Sequence, residues 1–215
     1  MTPSVIETYA RQKLNASSDT LWSSSEIIEN YLYDCCVEFS HEVKCIENTY
    51  TTPTVASTQE YALPSRYLDI KRVTYNGTKL QPISMREYDE LTWPNTTTTT
   101  TGTPTYYYYF GETIGLYPSP DSAVTLKIWL VQGHDAITSA STLEIPIQYH
   151  HMLVDGVCSK MTMKEIGDPR ASYYAGVWQN HLMKATAAWQ KHKRGDKFSV
   201  VSTEEQSPVT NFGAI

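Results

Sequence analysis

The sequence predicts an α+β protein: a helical bundle formed by both ends of the chain, an inserted antiparallel β-rich module, and an extended C-terminal tail. Three observations carry this reading. Apolar residues recur at spacings of three and four near both ends, which is the period of a helix face. Between Pro53 and Gln132 the period falls towards two and turn signals crowd the chain. After Gly195 no helix pattern remains. The expected divisions are 1–52 for the first half of the bundle, 53–137 for the module, 138–195 for the second half and 196–215 for the tail.

A short helix is expected from Ser4 to Leu14, with Asn15–Thr20 as the turn after it. The second helix starts near Ser23. Ser23 and Glu26 have capping-box spacing, and Trp22 with Ile27 have the spacing of a hydrophobic staple. Ile28, Leu32, Cys35, Phe39, Val43 and Ile46 form its apolar stripe, about five turns long.

Within the module, Ile70–Tyr75 and Thr78–Ile83 flank Asn76-Gly77, the strongest short hairpin signal. Pro82 places the second of these strands at an edge or an end. Ser84 and Glu87 are spaced to cap a short helix, Met85–Leu91. Thr96–Thr101 is a low-complexity loop. Tyr106–Phe110 and Thr113–Tyr117 pair across Gly111-Glu112, Pro118–Asp121 is a turn, and Val124, Leu126, Ile128 and Leu130 alternate as the inner face of a strand.

Helices return at Pro146, a residue suited to a first helical turn. Ile147, His151, Val154, Cys158 and Met161 form the expected stripe, and Gly167 ends it. Asp168-Pro169 opens the last helix, whose face carries Tyr174, Trp178, Leu182, Ala185 and Trp189. Lys191, Lys193 and Arg194 sit in its final turn, where the helix dipole favours cations.

Composition excludes several classes. The chain has 215 residues, 40% of them hydrophobic, enough to bury a core and too many for a disordered chain. No apolar run approaches the roughly 18 residues of a membrane span, so no membrane partner is expected. The first residues mix acid and base where a signal peptide would be apolar. The net charge of −6 argues against a protein that mainly grips phosphate backbones. Cys35, Cys36, Cys45 and Cys158 form no CxxC pair and read as small core residues with reduced thiols. Sixteen Tyr against four Phe favours surfaces that are buried yet partly wet, as at protein–protein contacts.

The search for chemistry is mostly negative. The sequence holds no phosphate-binding glycine loop, no GxSxG and no HExxH. His150, His151 and Asp155 come closest to a metal site, since His151 and Asp155 lie one turn apart. His151 falls on the apolar stripe, however, so a satisfied core histidine is the preferred reading. No cofactor is expected. Glu87, Asp89 and Glu90 read as a solvated face. The second helix carries Glu26, Glu29, Asp34, Glu38, Glu42 and Glu47 against one Lys44: either a soluble face or the acidic lining of a channel that must not hold DNA.

The block from Ala62 to Ser84, with Leu63-Pro64, Val73, Tyr75, Gly77, Leu80 and Pro82-Ile83, resembles the opening of the β-module in tailed-bacteriophage head-to-tail connector (adaptor, head-completion) proteins. Gly102, Pro104 and Tyr106 are similar to that family's entry to the aromatic strand, and Ile114, Leu116, Pro118 and Pro120 to its following turn. Pro146, Tyr149, His150 and Leu153 resemble the start of its third long helix, and Gly167–Arg170 before a Tyr- and Trp-rich helix completes the match. The resemblance spans residues 4–194 and departs from the family at Thr96–Thr101 and in the tail.

The resemblance implies a structural, non-enzymatic virion protein in the neck of the phage particle, synthesised in the host cytoplasm. It implies a ring, generally dodecameric, under the portal, which extends the DNA channel and gives the tail its platform. The implied partners are the portal protein, tail or nozzle proteins, further copies of the chain, and passing double-stranded DNA without sequence-specific binding. On that reading Glu29, Glu38 and Glu42 are channel-lining candidates, and Tyr107, Tyr109 and Trp129 are subunit-interface candidates. Phe198, Val200, Val201, Phe212 and Ile215 suit a tail that docks on the portal or a neighbouring subunit, the first three by adding a strand to a sheet edge. Two other readings compete: a carbohydrate- or receptor-binding module using Tyr106–Tyr109, and a metal-dependent hydrolase around His150, His151 and Asp155.

Overall fold

The structure, a computed structural model, describes residues 1–93, 100–165 and 167–193, with the side chains of 192 and 193 excepted. Residues 96–99 of the threonine loop lie outside the described residues, as do Phe198, Val200, Val201, Phe212 and Ile215 of the tail.

Helix α1 is Pro3–Lys13, with Pro3 in its first turn, where a missing N–H costs nothing. Asn15 then takes a left-handed φ of 56° and turns the chain. The Ser23 hydroxyl accepts the Glu26 N–H at 3.2 Å, as the capping spacing predicts. Glu26 itself turns to Lys164 at 2.7 Å. The stretch Glu26–Leu32 is π-helical and runs into helix α2, Tyr33–Val43. A π turn brings residues five apart into register, so Ile27, Ile28 and Leu32 are all buried.

The helix ends three residues before the expected Ile46. Lys44 adopts φ 55° and its N–H closes on the Ser40 carbonyl. This left-handed stop comes without the usual Gly or Asn; the Trp189 indole N–H, donating to the Lys44 carbonyl at 3.1 Å, helps hold it. Cys45 and Ile46 are buried in an extended segment, so their helical spacing was coincidental.

Among the described residues ten strands follow, and eight of them make two four-stranded sheets. Strands β1 (Glu47–Pro53), β10 (Thr125–Gln132), β3 (Tyr67–Tyr75) and β4 (Thr78–Lys79) form the first in that spatial order. Strands β2 (Glu60–Ala62), β8 (Thr113–Tyr117), β7 (Tyr106–Phe110) and β5 (Gln81–Pro82) form the second. The Asn76-Gly77 hairpin is present, with φ 47° and 81°, the left-handed pair that such a turn demands. The expected strand Thr78–Ile83 is divided at buried Leu80: its first half pairs with β3, and its second half crosses to pair in parallel with β7. That crossing joins the two sheets. Strands β6 (Thr101–Gly102) and β9 (Ser119–Pro120) make a small parallel pair.

The inner faces of both sheets share one core. Val73, Tyr75, Leu126, Ile128 and Leu130 from the first sheet meet Tyr107, Ile114 and Leu116 from the second. Helix α3 (Met85–Thr92) lies on the outer side of the second sheet, its capping box complete in both directions.

A 3₁₀ turn, Ile147–Tyr149, leads into helix α4 (His150–Lys164), and helix α5 is Arg170–Lys193. The Asp168 carboxylate accepts the Arg170 N–H at 2.8 Å and so caps that helix. The expected α4 stripe holds at Val154, Cys158 and Met161, which are buried, and fails at its first two residues. His150 is buried, whereas His151 and Ile147 are exposed, so the expected core histidine at 151 is corrected to 150. The imidazole Nε2 of His150 bonds the Ile145 carbonyl at 2.7 Å.

Helices from both ends of the chain share a second core around Phe39, Leu153, Val157 and Trp178. Gly156 lets α4 approach closely: a Cβ there would lie 2.9 Å from Cys35 Sγ and 2.9 Å from the Trp178 ring. Asp155, on α4, binds Lys13 of α1 and His181 of α5, tying three helices through one carboxylate. The sheets are anchored to the helices at one junction. Gly133 N–H donates to the Arg66 carbonyl at 2.8 Å, Arg66 pairs with Glu144 at 3.0 Å, and His134 N–H donates to the Ser40 hydroxyl at 3.3 Å.

Candidate functional site

Strand β10 alternates. Leu126, Ile128 and Leu130 face the core, which turns Lys127 and Trp129 to the outer face of the first sheet. The register sets Arg72 of β3 on one side of Trp129 and Thr49 of β1 on the other. The Arg72 guanidinium lies 5.1 Å from the Trp129 ring centre and the Lys127 ammonium 4.8 Å, so both cations rest on the electron-rich indole. Among the described residues neither cation has a carboxylate within 4.0 Å. Lys71, by contrast, pairs with Asp69. The surrounding depression holds about 480 Å³ and is lined by Glu47, Asn48, Thr49, Lys71, Arg72, Trp129 and Leu130.

The outer face of the second sheet is covered by aromatic rings. Tyr108 points outwards from β7 and its ring lies over Gly115 of β8, where an added Cβ would fall 2.1 Å from it. Tyr88 of α3 packs on Tyr108 at 4.6 Å and on Tyr117 edge-on at 5.7 Å. The Gln59 amide donates to the Tyr88 hydroxyl at 2.7 Å. Burial and the neighbouring Glu60 raise the Tyr108 hydroxyl pKa well above its ordinary value. Helix α3 buries no residue fully. Met85, Leu91 and Trp93 are exposed, the last 78%, as are Glu87, Asp89 and Glu90.

The residues singled out in the sequence fall in different places. Tyr107 is 6% exposed and belongs to the chain's own core, whereas Tyr109 is 61% exposed and Trp129 is half-buried. Glu29 and Glu42 are exposed. Glu38 is half-buried: it accepts the Trp178 indole N–H at 3.0 Å and lies 3.7 Å from Lys160. Glu38 and Glu42 border a second depression, about 460 Å³, between α2 and α5.

His150, His151 and Asp155 are not brought together on one site. His150 is held by Ile145, Asp155 by Lys13 and His181, and His151 stands against the His181 ring at 6.4 Å. Among the described residues no group of three His, Cys, Asp or Glu side chains is placed to hold a metal ion. Within the Tyr106–Tyr109 run Tyr107 and Tyr108 are buried, and Tyr109 is the most exposed ring.

Sequence reasoning missed Arg72 and Lys127. Lys127 could have been found from its place beside Trp129 on the polar side of an alternating strand. Arg72 comes from a neighbouring strand, and only the register brings it there.

The unspent polar and aromatic chemistry therefore lies on open faces of a helix-and-sheet scaffold. The family model of the SU10 adaptor protein matches residues 1–201, and the chain belongs to that family. The head-to-tail connector resemblance of the motifs agrees with this membership. No curated protein matches the chain. Among the described residues no helix is long and apolar enough to cross a membrane.

Proposed function

We propose that the chain is a virion protein that forms a ring at the portal of a tailed-phage head, extends the DNA channel and gives the tail its docking platform. Membership of the adaptor family over residues 1–201 carries this reading. The architecture is a helical bundle built from both ends with an inserted β-module, and the 196–215 tail docks on the portal or a neighbouring copy through Phe198, Val200, Val201, Phe212 and Ile215. Tyr109 and Trp129 supply exposed aromatic surface for subunit contact, with Tyr107 buttressing the strand behind Tyr109. Glu29 and Glu42 face solvent and are free to line the channel, where like charge lowers adhesion of passing DNA. Glu38 contributes charge from a position fixed by Trp178.

The test is complementation. Heads that carry a portal but lack this protein are mixed with the purified chain and then with tails. Tail attachment that depends on the added chain supports the reading; heads that accept tails equally well without it overturn the reading.

A further inference from the structure

The two outer faces of the β-module differ in chemistry and point in opposite directions. On one side, Arg72 and Lys127 are held over Trp129 with no carboxylate partner among the described residues. Among the described residues most other cations of this acidic chain are ion-paired: Arg11, Lys13, Arg66, Lys71, Arg86, Lys160, Lys164 and Arg170. On the other side, α3 presents three carboxylates against one guanidinium, with Arg86 pairing Glu90 at 3.2 Å. Met85, Leu91 and Trp93 stand exposed beside them.

We propose that these faces are the two halves of one contact between copies: the Trp129 face of one copy receives α3 of the next. The proposal rests on the ring reading above and names the surfaces that would make the ring. Charge complementarity chooses the occupant. Arg72 and Lys127 meet Asp89 and Glu90, while Trp129 meets the apolar flank of Leu91 and Trp93. Tryptophan and arginine are the residues that most often anchor protein interfaces. A self-complementary two-fold contact would set each face against its own kind, bringing cation to cation. A contact between unlike faces is heterologous and repeats from copy to copy, closing into a ring when the rotation allows. DNA is the weaker candidate occupant. Two free cations neutralise few phosphates, and duplex affinity grows with the number of phosphates neutralised.

The test uses the full chain assembled on portal-bearing heads, with a photo-cross-linking amino acid in place of exposed Thr49, which is registered opposite Trp129. Mixing isotope-labelled and unlabelled copies separates links between copies from links within one. The expected products join position 49 of one copy to residues 85–93 of another. In parallel, Arg72→Glu with Lys127→Glu should reduce incorporation at least about tenfold, and adding Asp89→Lys with Glu90→Lys to the same chain should restore it. The isolated variants should keep the parent's circular dichroism, which excludes unfolding as the cause.

If copies still assemble but cross-links go to portal, to DNA or to another surface of the neighbour, this contact is overturned and the ring reading stands. Normal incorporation of the charge-reversed variant has the same meaning. Heads that carry only isolated copies overturn the ring reading, and this contact with it.

Discussion

Gly156→Ala should lower stability, whereas Gly176→Ala should raise it. Both glycines sit inside helices, α4 and α5, and the backbone gain from replacing a helical glycine by alanine is about 0.5–1 kcal/mol for each. Packing separates the two positions. A Cβ at residue 156 would meet Cys35 Sγ at 2.9 Å and Trp178 ring carbons at 2.9 and 3.0 Å, inside the ordinary contact distance. Neither neighbour yields easily. Cys35 is fully buried, and the Trp178 indole is pinned to Glu38 at 3.0 Å. Overpacking of this kind costs about 1–3 kcal/mol, so the net loss is up to about 2.5 kcal/mol. A Cβ at residue 176 meets nothing within 4 Å, so the backbone gain stands alone. For a chain of this length 1 kcal/mol moves the melting temperature by about 2–4 °C. Thermal melts followed by far-ultraviolet circular dichroism should therefore show a fall of up to about 10 °C for the first variant and a rise of about 1–4 °C for the second. The difference between the variants isolates the packing contribution. A Gly156→Ala protein that melts above the parent, as Gly176→Ala should, would refute the close approach of α4 to α2 and α5.

The strand module should be removable. Gln132 N–H donates to the Ile46 carbonyl at 2.9 Å, so the chain enters and leaves the sheets at adjacent points; replacing 47–132 by a short Gly/Ser linker should leave a cooperatively melting helical protein, and loss of the helical signal would contradict this. The thiols should be inert in the native state. Burial pushes Cys35 and Cys36 well up and Cys158 up to about 12, so a thiol reagent should label them only as fast as the protein unfolds, and rapid native labelling would be the contrary result. Acid should weaken the α4 contact with the second helix. Hydrogen bonds from Lys164 and Tyr31 hold the Glu26 carboxyl below its ordinary 4.5, so its stabilising contribution is present above that pH and is lost as pH falls through the lower folded value. Glu26→Gln should flatten the stability–pH curve in that acid range, and an unchanged curve would show the pair to be idle. Deleting 197–215 should leave the melting temperature nearly unchanged while abolishing attachment to portal-bearing heads; normal attachment would move docking to the helices or sheets.

Much of the architecture was legible because local chemistry and tertiary packing agree. The Asn76-Gly77 hairpin, the Ser84–Glu87 capping box and the alternation of Leu126, Ile128 and Leu130 each follow from a rule about backbone angle, orphan N–H groups or strand period. Errors arose where tertiary contacts overrode local pattern. The helix stops at Lys44, a residue with no intrinsic preference for the left-handed region, held there in part by Trp189 from a helix 145 residues away. Apolar Cys45 and Ile46 keep helical spacing but pack as extended chain. The α4 stripe is right at Val154, Cys158 and Met161, but His150 and His151 are chemically identical in a sequence, and it is His150 that the Ile145 carbonyl and the Met1 amino group hold in the core. Trp129 was found as a surface aromatic, but the cations that give its face a charge were not. Arg72 comes from a strand 57 residues earlier, through a register that a single sequence does not reveal. Glu87, Asp89 and Glu90 of α3 are exposed, as their reading as a solvated face expects.

The most direct test of the account is to image portal-bearing heads after adding the full chain and to compare them with untreated heads. The account predicts new density in the form of a closed ring of copies beneath the portal, coaxial with the DNA channel, into which the helices and the two-sheet module fit. Density elsewhere on the head, or scattered single copies with no ring, would contradict it.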